Sequence, residues 1–287
     1  MATALARIES APDQPATTAL LDAAWHAATA QVIGLTGPPG VGKSTLTARV
    51  IQALRTDGHS VGVIAIDPSS RRSGGALLGD RVRLMLDGED SAVFVRSMAA
   101  RGRLGGLAAH AYAAVVLMGA VYDRVIVETV GVGQSETDIA TVADTVVLCV
   151  QPGSGDSLQY IKAGIAEIPD IAVIGKADLG GIAAKTRNDL EAALTLDRRA
   201  GWSVPVVPVS GTKAQGITEL IRAIADHGRH LARDLAARRR HQAERWLADA
   251  IGSEFGWRGL ERAGGLALPP GESPFVAWRR LVTQLRS

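Results

Sequence analysis

Lys43, Ser44 and Thr45 stand in a row directly behind Gly37-Pro38-Pro39-Gly40-Val41-Gly42. Three glycines at this spacing let successive backbone N–H groups turn toward one point, and a helix beginning at Lys43 would aim its N-terminus there too. A phosphate chain is the ligand that such a cradle suits. Lys43 adds a point charge for the β and γ phosphates, Ser44 offers a hard oxygen to Mg²⁺, and Thr45 is expected on the α phosphate. Gly37 to Ser44 fill every fixed position of the P-loop, so Gly37, Pro38, Pro39, Gly40, Val41, Gly42, Lys43, Ser44 and Thr45 form the expected nucleotide cradle. A second constellation, Gly175-Lys176-Ala177-Asp178, looks like the guanine-reading motif Asn-Lys-x-Asp with glycine in first place. Asp178 would accept from the N1 and N2 hydrogens of guanine, a contact that adenine cannot supply, while the Lys176 stem lies over the base. Ser210-Gly211-Thr212 then resembles the loop whose backbone N–H meets the guanine O6.

These residues need a scaffold that gathers distant loops at one edge. Val32 to Leu35 is a short apolar run before the cradle, and Leu46 to Leu54 is helical in period after it. Val61 to Ile66, Ala92 to Val95, Tyr122 to Val127, Thr145 to Val150, Ile171 to Ile174 and Val204 to Val209 read as further strands, alternating with helical stretches. The expected fold is therefore α/β: a P-loop NTPase fold with a mostly parallel central sheet flanked by helices, plus short helical N- and C-terminal extensions. Ligand belongs at the carboxyl edge of such a sheet. The expected organisation is a flexible lead and short helix over 1–30, a nucleotide domain over 31–230 and a helical extension over 231–287. Met1 to Ala16 lacks periodicity, Ile217 to about Ile251 is helical in period and long, and Ser273-Pro274 marks a helix start.

Composition narrows the function classes. The chain has 287 residues, 47% of them hydrophobic, which is enough for a substantial core. Its longest apolar stretch, Ala111 to Val121, is far shorter than the roughly 20 residues of a membrane span and reads as a buried helix. No secretion signal is visible at the N-terminus, so a cytoplasmic location and no membrane partner are expected. The single cysteine, Cys149, lies inside an apolar strand, where a buried side chain is expected rather than a nucleophile or ligand. A net charge of +2 does not call for nucleic acid. The arginines from Arg229 to Arg245 are interleaved with Asp226, Asp234 and Glu244, as on a solvated helix face.

Taken together, Gly37 to Ser44, Asp67-Pro68-Ser69-Ser70 through Gly79-Asp80, Glu128 to Glu136, Gly155 to Lys162 and Lys176 to Asp178 resemble the MeaB/ArgK family of P-loop GTPases. Glu128-Thr129-Val130-Gly131 carries the glutamate that this family has where Ras-like proteins have aspartate. The resemblance implies a GTPase that turns GTP into GDP and phosphate with Mg²⁺. It also implies a partner, an adenosylcobalamin-dependent acyl-CoA mutase of the methylmalonyl-CoA type, whose cofactor delivery is gated and which is protected from inactivation. Adenosylcobalamin would then belong to the partner alone. Ser44, Asp67, Asp80 and Glu128 are the implied metal site, some of them acting through water. Lys43, Asp80, Glu128, Gln134, Lys162 and Arg83 are the implied catalytic set, with Gln134 positioning water and Arg83 and Lys162 neutralising charge when their loops close. The family has an N-terminal helical segment and a C-terminal dimerisation arm, so a homodimer is expected. It also has Asn where Gly175 stands, and restoring Asn is expected to tighten GDP binding by one neutral hydrogen bond. Rival readings are a nucleotide-regulated binding module without hydrolysis, a metallochaperone GTPase and a transport-linked kinase. One Cys and six scattered His residues do not provide a metal-carrying cluster, and no acceptor-site signature supports the kinase.

Overall fold

The structure is a computed structural model and describes residues 1–68, 90–100, 110–129, 138–153, 169–194 and 201–286. In chain order the helices are α1 (Ala2–Ser10), α2 (Pro15–Ala27), α3 (Lys43–Thr56), α4 (Ala111–Gly119), α5 (Gly181–Leu194), α6 (Ile217–Leu231), α7 (Leu235–Ala263) and α8 (Pro274–Arg286). The strands are β1 (Gln31–Thr36), β2 (Val61–Pro68), β3 (Val93–Ala100), β4 (Arg124–Glu128), β5 (Thr145–Val150), β6 (Ile171–Ile174) and β7 (Val206–Pro208). They form one sheet in the order β3-β2-β4-β1-β5-β6-β7, and every described pairing is parallel. With all strands running the same way, their last residues share one edge. That edge receives every sequence-predicted motif within the described residues.

Burial on both faces explains the continuous apolar strands. Along β4, Val125 and Val127 face the core under α1, α2, α4, α7 and α8, while Ile126 between them faces α3 and α6. Residues Ala111–Gly119 of α4 are buried all round, as the unbroken apolar run predicts. None of the described helices is long and apolar enough to cross a membrane.

Two expectations about the ends are corrected. The stretch read as a flexible lead holds helix α1, whose Leu5 and Ile8 sit one turn apart and are buried in the same core as α4. Glu9 pins its end to Arg96 of β3 at 2.8 Å. The period was hard to see because only two large apolar residues carry it. The stretch from Ile217 to Ile251 is two helices rather than one, parted at residues 232–234. The reason is topological: Leu220 and Ile224 of α6 cover one face of the sheet, whereas Ala243, Leu247 and Ile251 cover the other. One straight helix could not reach both faces. The start at Pro274 is as expected, and α8 buries Phe275, Leu281 and Leu285 within its own chain.

The late arginines are also more than a solvated face. Arg239 closes a two-pronged pair with Asp144, at 3.0 Å and 2.7 Å, and donates to the carbonyls of Ala28 and Ala30. It anchors α7 to the amino edge of the sheet.

Candidate nucleotide site

The cradle follows β1 and leads into α3. Gly37 has φ of 135°, and a Cβ there would fall 2.2 Å from the Cys149 carbonyl oxygen, so no other residue fits this turn. Lys43 is buried at the first position of α3, its ammonium donating to the carbonyls of Gly37 at 2.6 Å and Pro38 at 2.9 Å. The charge is thereby held over the loop. Cys149 lies beneath, fully buried, and burial pushes its thiol up to about 12. It is a buried strand side chain, as expected.

Glu128 ends β4 with no exposed surface, beside Leu35 of β1. One carboxylate oxygen accepts the Ser44 hydroxyl and the other accepts the Thr47 hydroxyl, each at 2.7 Å. Ser44 thus spends its proton on Glu128 and keeps its oxygen lone pairs for a cation. That donor chemistry, a hard hydroxyl backed by a carboxylate, fits Mg²⁺, which takes oxygen ligands and few of them from protein. Thr129 stitches the ends of β4 and β1, its N–H donating to Leu35 and its hydroxyl to that of Thr36. Asp67 stands at the penultimate position of β2, on the same edge. Asp80, Arg83, Gln134 and Lys162 lie outside the described residues.

Beside the cradle is a cavity of about 300 Å³ lined by Val41, Gly42, Thr45, Lys176, Asp178, Ser210, Gly211 and Thr212, with Cys149 and Val173 among its apolar walls. It unites the end of the cradle with the two segments expected to read a base. Asp178 is exposed at the rim. The Ser210 hydroxyl beside it, helped by a backbone N–H, holds its carboxyl below the usual carboxylate range. It is therefore an anionic acceptor throughout neutral pH. Lys176 adopts a left-handed backbone with φ of 51° and donates to the Gln151 side chain at 3.3 Å. Ser210 is buried in a turn closed by paired backbone bonds to Gln215, and its oxygen accepts the Lys213 N–H at 3.3 Å.

Glycine at position 175 has a reason that the sequence did not disclose. A Cβ there would meet the Val41 carbonyl oxygen at 2.8 Å, closer than side-chain carbons approach backbone. The expectation that Asn at this place simply restores a hydrogen bond is corrected: the cradle here passes too near. Three contributors were also missed. Thr47 is one helical turn beyond Ser44 and so shares its face, a spacing that could have flagged it. Arg49, which donates to the Gly211 carbonyl at 2.9 Å, and Gln151 had no local signal.

A model of the family described as methylmalonyl-CoA mutase-associated GTPase MeaB matches residues 1–258. The chain belongs to the MeaB family. A putative GTPase of Pyrococcus abyssi is 50% identical over 222 residues, spanning 75% of this chain and 68% of that protein. The mouse mitochondrial methylmalonic aciduria type A homolog is 40% identical over 226 residues, spanning 76% of this chain and 54% of its own. Among solved structures, an LAO/AO transport system kinase superposes with a TM-score of 0.67 at 28% identity, covering 100% of this chain and 92% of that one. The MeaB match begins at α1 and runs into α7, so it takes in the N-terminal helices and the nucleotide core and ends before α8.

Proposed function

We propose that this MeaB-family protein binds GTP with Mg²⁺, hydrolyses it, and uses the cycle to assist an adenosylcobalamin-dependent acyl-CoA mutase. The observation that carries the nucleotide part is the meeting of Lys43, the Ser44–Glu128 pair and the Asp178–Ser210 rim on one sheet edge, around a cavity open to the cradle. Lys43 would move its ammonium from two carbonyls to phosphate oxygens, a stronger, charge-assisted partner. Ser44 would hold Mg²⁺ directly and Glu128 through it, with Asp67 and Asp80 completing the region. The cation supplies charge neutralisation at the β and γ phosphates. Asp178 selects guanine, Lys176 covers the base, and Ser210, Gly211 and Thr212 border it.

The mutase part rests on the family. β2, β4 and β5 all end at the same edge, and the segments that follow them, which lie mostly outside the described residues, are the proposed route by which a partner senses the γ-phosphate. By linkage, a partner that prefers the GTP-bound arrangement changes nucleotide affinity as nucleotide changes partner affinity. Family membership also suggests a homodimer, with contact surfaces beyond the α8 face that is buried within the chain. The test is hydrolysis of GTP by the purified protein, alone and with the cognate mutase. Slow turnover accelerated by the mutase is expected, and Lys43→Ala should lose both rates. Equal rates with and without mutase would remove the coupling and leave a GTPase alone; no Mg²⁺-dependent GTP binding would remove the whole reading.

A further inference from the structure

Among the described residues, Glu128 is the fully buried carboxylate of the carboxyl edge, and a buried carboxylate keeps its charge only when its lone pairs are filled. Two hydroxyls of α3 donate to it, one to each oxygen, but their surroundings differ. Ser44 stands at the mouth of the cradle, where its oxygen can serve a cation while its proton serves Glu128. Thr47 has no exposed surface, and its proton goes to the second Glu128 oxygen at 2.7 Å rather than back to its own helix. Its neighbours on that face, Val50 and Ile51, are apolar core, where valine would pack as well as threonine. A hydroxyl at this depth is costly unless it bonds, and what it bonds is the carboxylate that orients Ser44.

We infer that Thr47 is a positioning residue: it fixes the rotation of the Glu128 carboxylate, thereby aims the Ser44 hydroxyl, and so sets how strongly the site holds its divalent cation. The inference rests on the GTPase reading above and deepens it. Without the Thr47 bond, one side of the carboxylate loses the restraint that faces α3, and a turn about its last bond would draw the Ser44 oxygen out of line. A β-branched side chain, stiff at χ1, is suited to such anchoring. The effect should fall on the cation and spare the nucleotide's own contacts.

The test compares Thr47→Val, which removes the hydroxyl at constant shape, with Thr47→Ser, which keeps it, and with Thr47→Ala. Affinity for fluorescently labelled GDP is measured in chelator and across a Mg²⁺ titration, alongside thermal melting. Thr47→Val and Thr47→Ala should raise the Mg²⁺ needed for half-effect by roughly tenfold, the worth of one hydrogen bond to a charged group. Affinity in chelator should stay within about twofold, and Thr47→Ser should restore the Mg²⁺ response. The inference is overturned if the hydroxyl-free variants lose affinity equally with and without Mg²⁺, if only the melting temperature moves, or if Thr47→Ser fails to rescue. Should the unmodified protein bind no guanine nucleotide, the GTPase reading itself falls and takes this role with it, whereas GDP binding without regard to Mg²⁺ removes the Thr47 role and leaves that reading to the GTP assay. A Mg²⁺ response kept intact in Thr47→Val removes the Thr47 role alone.

Discussion

The two edges of the sheet both bury carboxylates, yet they partner them differently. At the amino edge Asp144 faces Arg239, and Asp170 faces His227 at 3.3 Å and Arg238 at 3.2 Å. Each also takes a backbone N–H from the start of a strand, Val32 and Val146, at 2.8 Å. Burial alone would push the Asp170 carboxyl up, but His227, Arg238 and the Val146 N–H outweigh it and hold it below its usual range. At the carboxyl edge Glu128 meets the neutral hydroxyls of Ser44 and Thr47. Breaking a buried ion pair costs about 3 to 5 kcal/mol, whereas exchanging one hydroxyl bond to a carboxylate costs about 1.5 to 3 kcal/mol and a cation can replace it. The amino edge is thus built to stay shut, tying α6 and α7 to the sheet, and the carboxyl edge is built to change partners.

The largest expected effect lies at the closed edge. Arg239→Met would leave the Asp144 carboxylate buried without its cation, a loss of about 3 to 5 kcal/mol. For a chain of this size that corresponds to a melting temperature lower by roughly 10 °C. Labelled-GDP affinity of the folded protein should nonetheless stay within about twofold, since no bond from Arg239 reaches the cradle. Comparable losses in melting temperature and in GDP affinity would show that the two edges are coupled, and the contrast drawn between them would fail.

Next in size is Asp178→Asn at the exchangeable edge. Removing a charged acceptor from a base contact costs about 1.5 to 3 kcal/mol, so GTP affinity should drop on the order of tenfold to a hundredfold. Preference should move toward xanthine nucleotides, whose C2 carries an acceptor in place of the guanine amino group. Melting temperature should hardly move, because Asp178 is exposed at the rim and anchors nothing in the core. Competition binding with GTP, XTP and ATP reads the outcome; equal affinity of the unmodified protein for ATP and GTP would contradict the base assignment.

How far the sequence could foretell these edges follows from the range of the interactions. The cradle from Gly37 to Thr45 was legible because phosphate binding needs consecutive residues on a strand, turn and helix, and local order preserves that logic. Lys176, Asp178 and Ser210 were legible for the same reason, each sitting just past a recognisable apolar strand. The amino edge was not. Asp144 and Arg239 are 95 positions apart, and Arg239 reads as one more charge in an arginine-rich helix until folding brings it beneath β1. Thr47 was missed because a threonine within an apolar helical face looks like packing. The helix break at residues 232–234 was missed because no glycine or proline marks it, and only the arrangement of layers shows that the two halves cover opposite faces.

Gly175 offers the smallest and sharpest test, because sequence and structure give it opposite signs. Judged by the family motif, Gly175→Asn supplies a missing amide and should tighten GDP by about 1 kcal/mol, several-fold in affinity. Judged by the fold, the first atom added is a Cβ 2.8 Å from the Val41 carbonyl oxygen and 3.4 Å from a Val41 methyl, in the segment that turns into the Gly42 helix start. The Gly175 N–H is itself committed to Val150 at 2.9 Å, so the strand end cannot simply retreat. Relief must come from the cradle, which would shift Val41 and Gly42 at the wall shared with the base cavity. Overpacking of this kind costs about 1 to 3 kcal/mol, enough to cancel the amide and leave GDP binding weaker by a few-fold. Gly175→Ala separates the two effects, since it adds the Cβ without the amide. Calorimetry should find both variants weaker than the unmodified protein, alanine by no less than asparagine. Were alanine neutral and asparagine tighter, the cradle would be more yielding than its glycine contacts indicate, and even the backbone of the exchangeable edge would have to be counted among its adjustable parts.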